Sequence, residues 1–252
     1  MTRTLSGIEG PHADARLVVG GAPAAAAEVA VVLLHGRGGT ADGIVRLADE
    51  FYRPGATYLA PQARRSNWFP ASHDAPIESN EPALSSAIDC VAGAVAAAGD
   101  VGIPPERTLL VGVSQGGCVL AAFLCRRPRR FGGAVVASAA LPGDDLDTWR
   151  IADGGDGGDG RDDEGDRDGD GEDDGDGAGR GADRDGPLSG TPVSLDSSES
   201  DPYVPSTRVR ETGRILEAAG AAVDVRIDSG SGHGLSDATL SRIGDRVDSL
   251  VP

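Results

Sequence analysis

Three side chains in this sequence, a serine, an acid and a histidine in that chain order, have the types that nucleophilic acyl transfer requires. Ser114 sits in Gly112-Val113-Ser114-Gln115-Gly116, a G-x-S-x-G pattern. A short motif alone is weak. This one follows the apolar run TLLVGV and opens the helical pattern QGGCVLAAFLC. A sharp strand-to-helix turn exposes a serine hydroxyl at the edge of a sheet, beside a helix N-terminus that favours developing negative charge. A hydroxyl is a poor nucleophile without a base. The chain has four histidines, His12, His35, His73 and His233. His233 lies late, in Ser229-Gly-Ser-Gly-His-Gly, between a strand-like and a helix-like run, so its loop can reach Ser114. His12 has no evident partner. His73 falls in a long polar loop and is expected at the surface.

The base needs an acid to fix its tautomer and to stabilise the imidazolium. The loop after TPVSL offers Asp196, Glu199 and Asp201. Asp201 leads, because it precedes a proline and stands just before the next helical pattern; Asp196 and then Glu199 are the alternatives, and whichever of the three is not the acid is expected to be a solvated loop carboxylate. Donors must also face the tetrahedral oxygen. The stretch His35-Gly36-Arg37-Gly38-Gly39 follows the run VAVVLL, and the backbone N–H groups of Arg37 and Gln115 are the candidate oxyanion donors. His35 is expected to pin that loop, and the side chain of Arg37 has no assignment. The loop Ser66-Asn67-Trp68-Phe69-Pro70 places Trp68 and Phe69 as candidate pocket residues. No metal-ligand spacing is present. Cys90, Cys118 and Cys125 are odd in number and read as small buried hydrophobes.

These residues must be held by a scaffold, and the hydropathy pattern describes one. Strand-like runs cover Arg16–Val19, Val29–Leu34, Thr57–Ala60, Thr108–Val113, Gly133–Ser138, Thr191–Leu195 and Ala222–Ile227. Helical patterns cover Thr40–Phe51, Glu81–Ala98, Gln115–Arg127, Ser206–Ala219 and Leu235–Leu250. In the second of these helices Leu84, Ile88, Val91 and Val95 fall on one face. Alternation of this kind predicts an α/β fold, with a mostly parallel central sheet and helices on both faces.

The 252 residues carry 23 basic and 40 acidic groups, a net charge of −17. The window from Ile151 to Gly190 alone holds 15 acidic residues and 4 arginines. Residues 144–188 are mostly Gly, Asp and Arg. They are too poor in apolar groups to offset their ordering entropy, so a disordered acidic insertion is expected there. It would divide one domain into residues 1–143, with the nucleophile and oxyanion loop, and 189–252, with acid and base. The acidity makes nucleic acid and anionic membrane surfaces poor partners. No apolar run approaches the length of a membrane helix, and no secretory leader is evident, so a cytoplasmic location is expected. All 23 basic residues are arginine. An acidic, Ala/Gly-rich, lysine-free composition is what a protein working in high salt would show.

The blocks LLHGRGG, GIPPERTLLVGVSQGG, DPYVP and GSGHG, in this order, resemble the phospholipase/carboxylesterase family of α/β-hydrolases. That family includes the acyl-protein thioesterases and small bacterial and archaeal carboxylesterases. The resemblance spans nearly all of the chain outside the insertion. It implies an α/β-hydrolase fold without a large lid and a serine hydrolase needing no cofactor, acting on small-molecule esters or thioesters. It also implies Ser114 as nucleophile, Asp201 as acid, His233 as base, and the Arg37 and Gln115 amides as oxyanion donors. The stretch Asp196-Ser-Ser-Glu-Ser-Asp201-Pro departs from the Gly-containing turn usual before the family's acid. With few aromatic residues and no apolar lid, short to medium acyl groups are expected. A lysophospholipase or protein-deacylating thioesterase is the alternative within the class. A non-catalytic binding protein that keeps the fold is the alternative outside it. Oligomeric state is not legible in the sequence.

Overall fold

The computed structural model of the chain describes residues 1–152 and 186–252. Eight strands form one sheet: β1 (Thr2–Thr4), β2 (Arg16–Gly21), β3 (Val29–Leu34), β4 (Ala56–Pro61), β5 (Thr108–Val113), β6 (Gly133–Ala137), β7 (Pro192–Ser198) and β8 (Ala222–Asp228). Their spatial order is β1-β2-β4-β3-β5-β6-β7-β8. The first two strands run antiparallel, β2 against β4, and every pair from β4 to β8 is parallel. Among the described residues four α-helices lie between strands, α1 (Ala41–Leu47), α2 (Ala83–Gly99), α3 (Gln115–Arg126) and α4 (Ser206–Ala218), and α5 (Asp237–Leu250) follows β8.

The two faces of the sheet follow from the alternation of side chains along each strand. Val29, Val31 and Leu33 of β3 pack with Leu109 and Val111 of β5 beneath α1 and α5, through Ala41, Ile44, Ile243 and Val247. Ala30, Val32 and Leu34 face the opposite way, with Leu110, Val136 and Leu195, beneath α2, α3 and α4. Strands covered on both faces have no polar side to show, which is why VAVVLL is apolar throughout and fully buried. Each such Val or Leu contributes about 1.5–3 kcal/mol on burial. Leu84, Ile88, Val91 and Val95 are the buried stripe of α2. All three cysteines are free thiols and buried, as their spacing implies.

The structure departs from the sequence reading in several places, and β7, for one, runs to Ser198 and not to Leu195. The expected helix Thr40–Phe51 is an α-helix only to Leu47 and tightens to a 3-10 turn over Ala48–Phe51. The short edge strand β1 gives no sequence signal, having three exposed residues. Most of the expected disordered insertion, residues 153–185, lies outside the described residues. Its two ends belong to the folded domain. Leu146 and Trp149 are buried, the Trp149 Nε1 donates to the Pro142 carbonyl at 2.7 Å, and Arg126 stacks over the indole. On the far side Leu188 is buried completely. Windows averaged over Gly and Asp hid these apolar anchors.

Candidate active site

The C-terminal ends of β3, β5, β7 and β8 gather the sequence-predicted residues at one edge of the sheet. Ser114 follows β5 with φ 52° and ψ −124°, a left-handed backbone that a non-glycine residue holds only when its surroundings enforce it. The enforcement is steric. A Cβ on Gly116 would lie 2.4 Å from the Leu34 carbonyl oxygen and 2.6 Å from that of His35. A Cβ on Gly112 would meet the Gly116 carbonyl oxygen at 2.6 Å. The first turn of α3 therefore presses directly on the ends of β3 and β5, leaving the Ser114 side chain pointing outward above the helix N-terminus.

His233 bridges the other two. Its Nε2 lies 2.8 Å from Ser114 Oγ, and its Nδ1 lies 2.8 and 3.0 Å from the two Asp201 carboxylate oxygens. A carboxylate only accepts, so Nδ1 carries the hydrogen and Nε2 is left to accept the serine proton. Asp201 Oδ1 also accepts from the Tyr203 and Val204 backbone N–H groups, at 2.9 and 3.0 Å. Burial pushes the Asp201 carboxyl up, but those two N–H groups and His233 outweigh it and hold it below its ordinary value. Asp196 is neither the acid nor a solvated loop carboxylate: it is buried within β7, met by Arg242 at 2.7 Å and Ser194 at 3.2 Å, and burial raises its pKa despite that cation. Glu199 is exposed.

The loop after β3, with the candidate oxyanion donor, runs alongside. A Cβ on Gly36 would sit 3.3 Å from Ser114 Cβ, so the loop after β3 passes next to the serine. Among the described residues neither the Arg37 nor the Gln115 backbone N–H donates to a protein acceptor. Thr40 ends the loop by capping α1, accepting from the Gly43 N–H at 3.0 Å. His35 holds the loop through its ring. Its Nδ1 lies 2.8 Å from the Gly36 carbonyl, and its Nε2 accepts from the Ala63 N–H at 3.2 Å. Burial lowers its pKa. The Gln115 side chain accepts from the Trp68 N–H at 2.9 Å and donates to the Phe69 carbonyl at 2.7 Å, fastening the loop after β4 to the start of α3.

A cavity of about 690 Å³ opens above Ser114, walled by Phe69, Pro70, Ala71, Val113, Val204 and Tyr203 together with Arg37 and His73. Phe69 stands where the sequence reading put it. Trp68 does not line this cavity. It is completely buried beneath the loop, with its Nε1 donating to the His35 carbonyl at 2.8 Å and its indole packed on His12 and His35. A large ring with one donor loses nothing on burial when a backbone acceptor meets it. Two histidines also differ from expectation. His12 is buried, with Nε2 on the Trp68 carbonyl at 2.9 Å and Nδ1 accepting from the Arg64 N–H at 3.1 Å. His73 is half-buried in the cavity wall, where burial lowers its pKa.

Sequence reasoning missed two residues beside His233. Ser138, in a left-handed backbone at the end of β6, accepts from the Gly234 N–H at 2.8 Å and so anchors the loop next to His233. The Tyr203 ring meets the imidazole edge-on with centroids 4.7 Å apart. Tyr203 carried a signal, since it lies in the DPYVP block; nothing local marks Ser138. Among the described residues no cluster of His, Cys, Asp and Glu is placed to hold a metal ion, and no helix is long and apolar enough to cross a membrane.

The profile of the phospholipase/carboxylesterase family matches residues 16–145, just over half of the chain. A comparison with curated protein sequences finds no match. Among solved structures, the phospholipase/carboxylesterase of Dyadobacter fermentans is 30% identical, with 92% of this chain and 95% of that one covered and a TM-score of 0.72. The Bacillus cereus carboxylesterase is similar in fold, at 16% identity, 93% coverage of each chain and a TM-score of 0.64. So is Arabidopsis thaliana SOBER1, at 18% identity, 89% and 99% coverage and a TM-score of 0.61. The chain thus belongs to the phospholipase/carboxylesterase family of α/β-hydrolases, carboxylic ester hydrolases built on an open, mostly parallel sheet.

Proposed function

We propose that this protein hydrolyses small carboxylic esters or thioesters through a covalent acyl-enzyme on Ser114. The observation that carries the reading is the bridging position of His233, 2.8 Å from both the serine hydroxyl and the nearer Asp201 oxygen. Ser114 Oγ attacks the substrate carbonyl as His233 Nε2 takes its proton. Asp201 holds the imidazole in the accepting tautomer and stabilises the imidazolium. The unengaged N–H groups of Arg37 and Gln115 receive the tetrahedral oxyanion, aided by the α3 N-terminus. His233 then protonates the leaving alcohol or thiol. A water, deprotonated by the same nitrogen, cleaves the acyl-enzyme, and Ser114 recovers its proton.

The cavity walls support short to medium acyl groups. Phe69, Val113 and Val204 supply apolar surface, but Arg37, Ser72 and His73 interrupt it within the same space. A long alkyl chain would desolvate those polar groups without pairing them. The test is hydrolysis of p-nitrophenyl esters from acetate to laurate, wild type beside Ser114→Ala. Turnover that falls by orders of magnitude in the variant is expected, with an optimum below eight carbons. An optimum at laurate would instead favour a lipid or protein deacylase. Equal rates in both proteins would overturn the serine mechanism, and a folded wild type inert to every ester would favour a binding protein.

A further inference from the structure

The cavity above Ser114 holds a positive charge that ester hydrolysis does not require. Arg37 lines it, and its guanidinium is held by the carbonyl oxygens of Ala71 at 2.7 Å, Phe69 at 3.2 Å and Pro70 at 3.3 Å. These acceptors are neutral. Among the described residues Arg37 forms no ion pair. No Asp or Glu lines the cavity. Carboxylates stand behind that lining, Asp201 against His233 and Asp74 beside His73, and none of them meets the Arg37 guanidinium. Arg208 of α4 lies on the same side, with its guanidinium held by the Leu141 and Gly143 carbonyls. Burial pushes the Cys118 thiol in the cavity wall up to about 11, and the positive charges of Arg208 and Arg37 both act against that rise.

The three carbonyls fix the guanidinium without neutralising it, and a guanidinium has five N–H donors, so donors remain for a ligand. The position also sets a distance. With the backbone N–H of the same residue as the proposed oxyanion donor, the charge lies no farther from the reacting carbonyl than one arginine side chain and one hydrogen bond. We infer that the preferred substrates are esters carrying a carboxylate a few bonds from the scissile carbonyl, held by the Arg37 side chain. This rests on the serine-hydrolase reading. It deepens that reading by naming the substrate class, and it makes Arg37 a specificity-determining residue.

The test compares charged and neutral esters of similar size in a pH-stat. Ethyl hydrogen glutarate against ethyl pentanoate places the charge on the acyl side; 3-acetoxypropanoate against propyl acetate places it on the alcohol side. In the wild type, kcat/KM for the anionic ester should exceed that of its neutral counterpart by about tenfold or more in one pair, mainly through KM. Arg37→Gln should bring that ratio to about one, and Arg37→Lys should keep part of it. The ratio is taken within each variant, so a general loss from loosening residues 69–71 cancels. Neutral esters preferred in both pairs, or a ratio unchanged in Arg37→Gln, would overturn the inference while Ser114-dependent hydrolysis stood. Hydrolysis equally fast in Ser114→Ala, or absent with every ester, would remove the hydrolase reading and this inference with it.

Discussion

Ser114 is held in a backbone conformation that costs on the order of 1–3 kcal/mol for a residue with a side chain. Ser114→Gly should therefore raise unfolding free energy by about 1 kcal/mol, measured by denaturant titration, while abolishing ester hydrolysis. A destabilised glycine variant would show that the turn is not strained. Asp201→Asn keeps the size of the acid but offers Nδ1 no anion, so kcat should fall on the order of 10³–10⁴ with folding preserved. Asp196→Asn should leave catalysis nearly intact, since that carboxylate meets Arg242 and not His233. At this scale the sequence was informative where a residue's place relative to strands and helices decides its position. Ser114, Asp201 and His233 each follow a strand whose end reaches the same edge. Trp68, His12 and His73 were misplaced because their surroundings come from distant parts of the chain: His12 bonds to Arg64 and Trp68. Local polarity says nothing about such pairings.

At the scale of elements, the elbow depends on how closely α3 approaches β3. Gly116→Ala must displace the backbone at Leu34 and His35, because the added Cβ has carbonyl oxygens in its way and no flexible side chain to move. Destabilisation of about 1–3 kcal/mol is expected, together with loss of activity, as the same shift moves the oxyanion loop. The loop carrying the base is subject to a milder test. Ser138→Ala removes the hydroxyl that accepts from Gly234 N–H. A fall in kcat of roughly tenfold to a hundredfold, with KM little changed, is expected if this contact orients His233; an unchanged kcat would make it merely structural. The unbroken apolar run VAVVLL and the one-faced periodicity of α2 were enough to place those elements. Ser138 escaped notice because its role is a contact between β6 and a loop 96 residues later. The edge strand β1 was invisible because its residues are exposed and it is placed by pairing with β2.

For the whole molecule, titration sets a direction for stability. Burial holds the pKa values of His12, His35 and His73 below the ordinary 6.5. The unfolded chain takes up these protons first as pH falls, so stability should decline below about pH 6.5. Asp201, with Asp74 and Glu81, is held below its ordinary value and adds a second decline below about pH 4, where the unfolded carboxylates protonate before the folded ones, partly offset by Asp196, which is raised. Thermal unfolding followed across pH should show stability rising with pH through both windows; a flat profile would contradict the burial of these groups. The acidic, lysine-free composition predicts stability that falls on dilution from molar salt. The alternation of elements implied a parallel sheet, but the strand order and the antiparallel β1-β2 edge depend on long-range pairing that hydropathy does not encode. The central claim is that Ser114 is a nucleophile activated by His233. An alkyl fluorophosphonate with intact-mass detection tests it most directly. One phosphonyl adduct per chain, on Ser114, is predicted, absent in Ser114→Ala and slowed by orders of magnitude in His233→Ala. No adduct on the folded wild type, or equal labelling in all three proteins, would contradict the account.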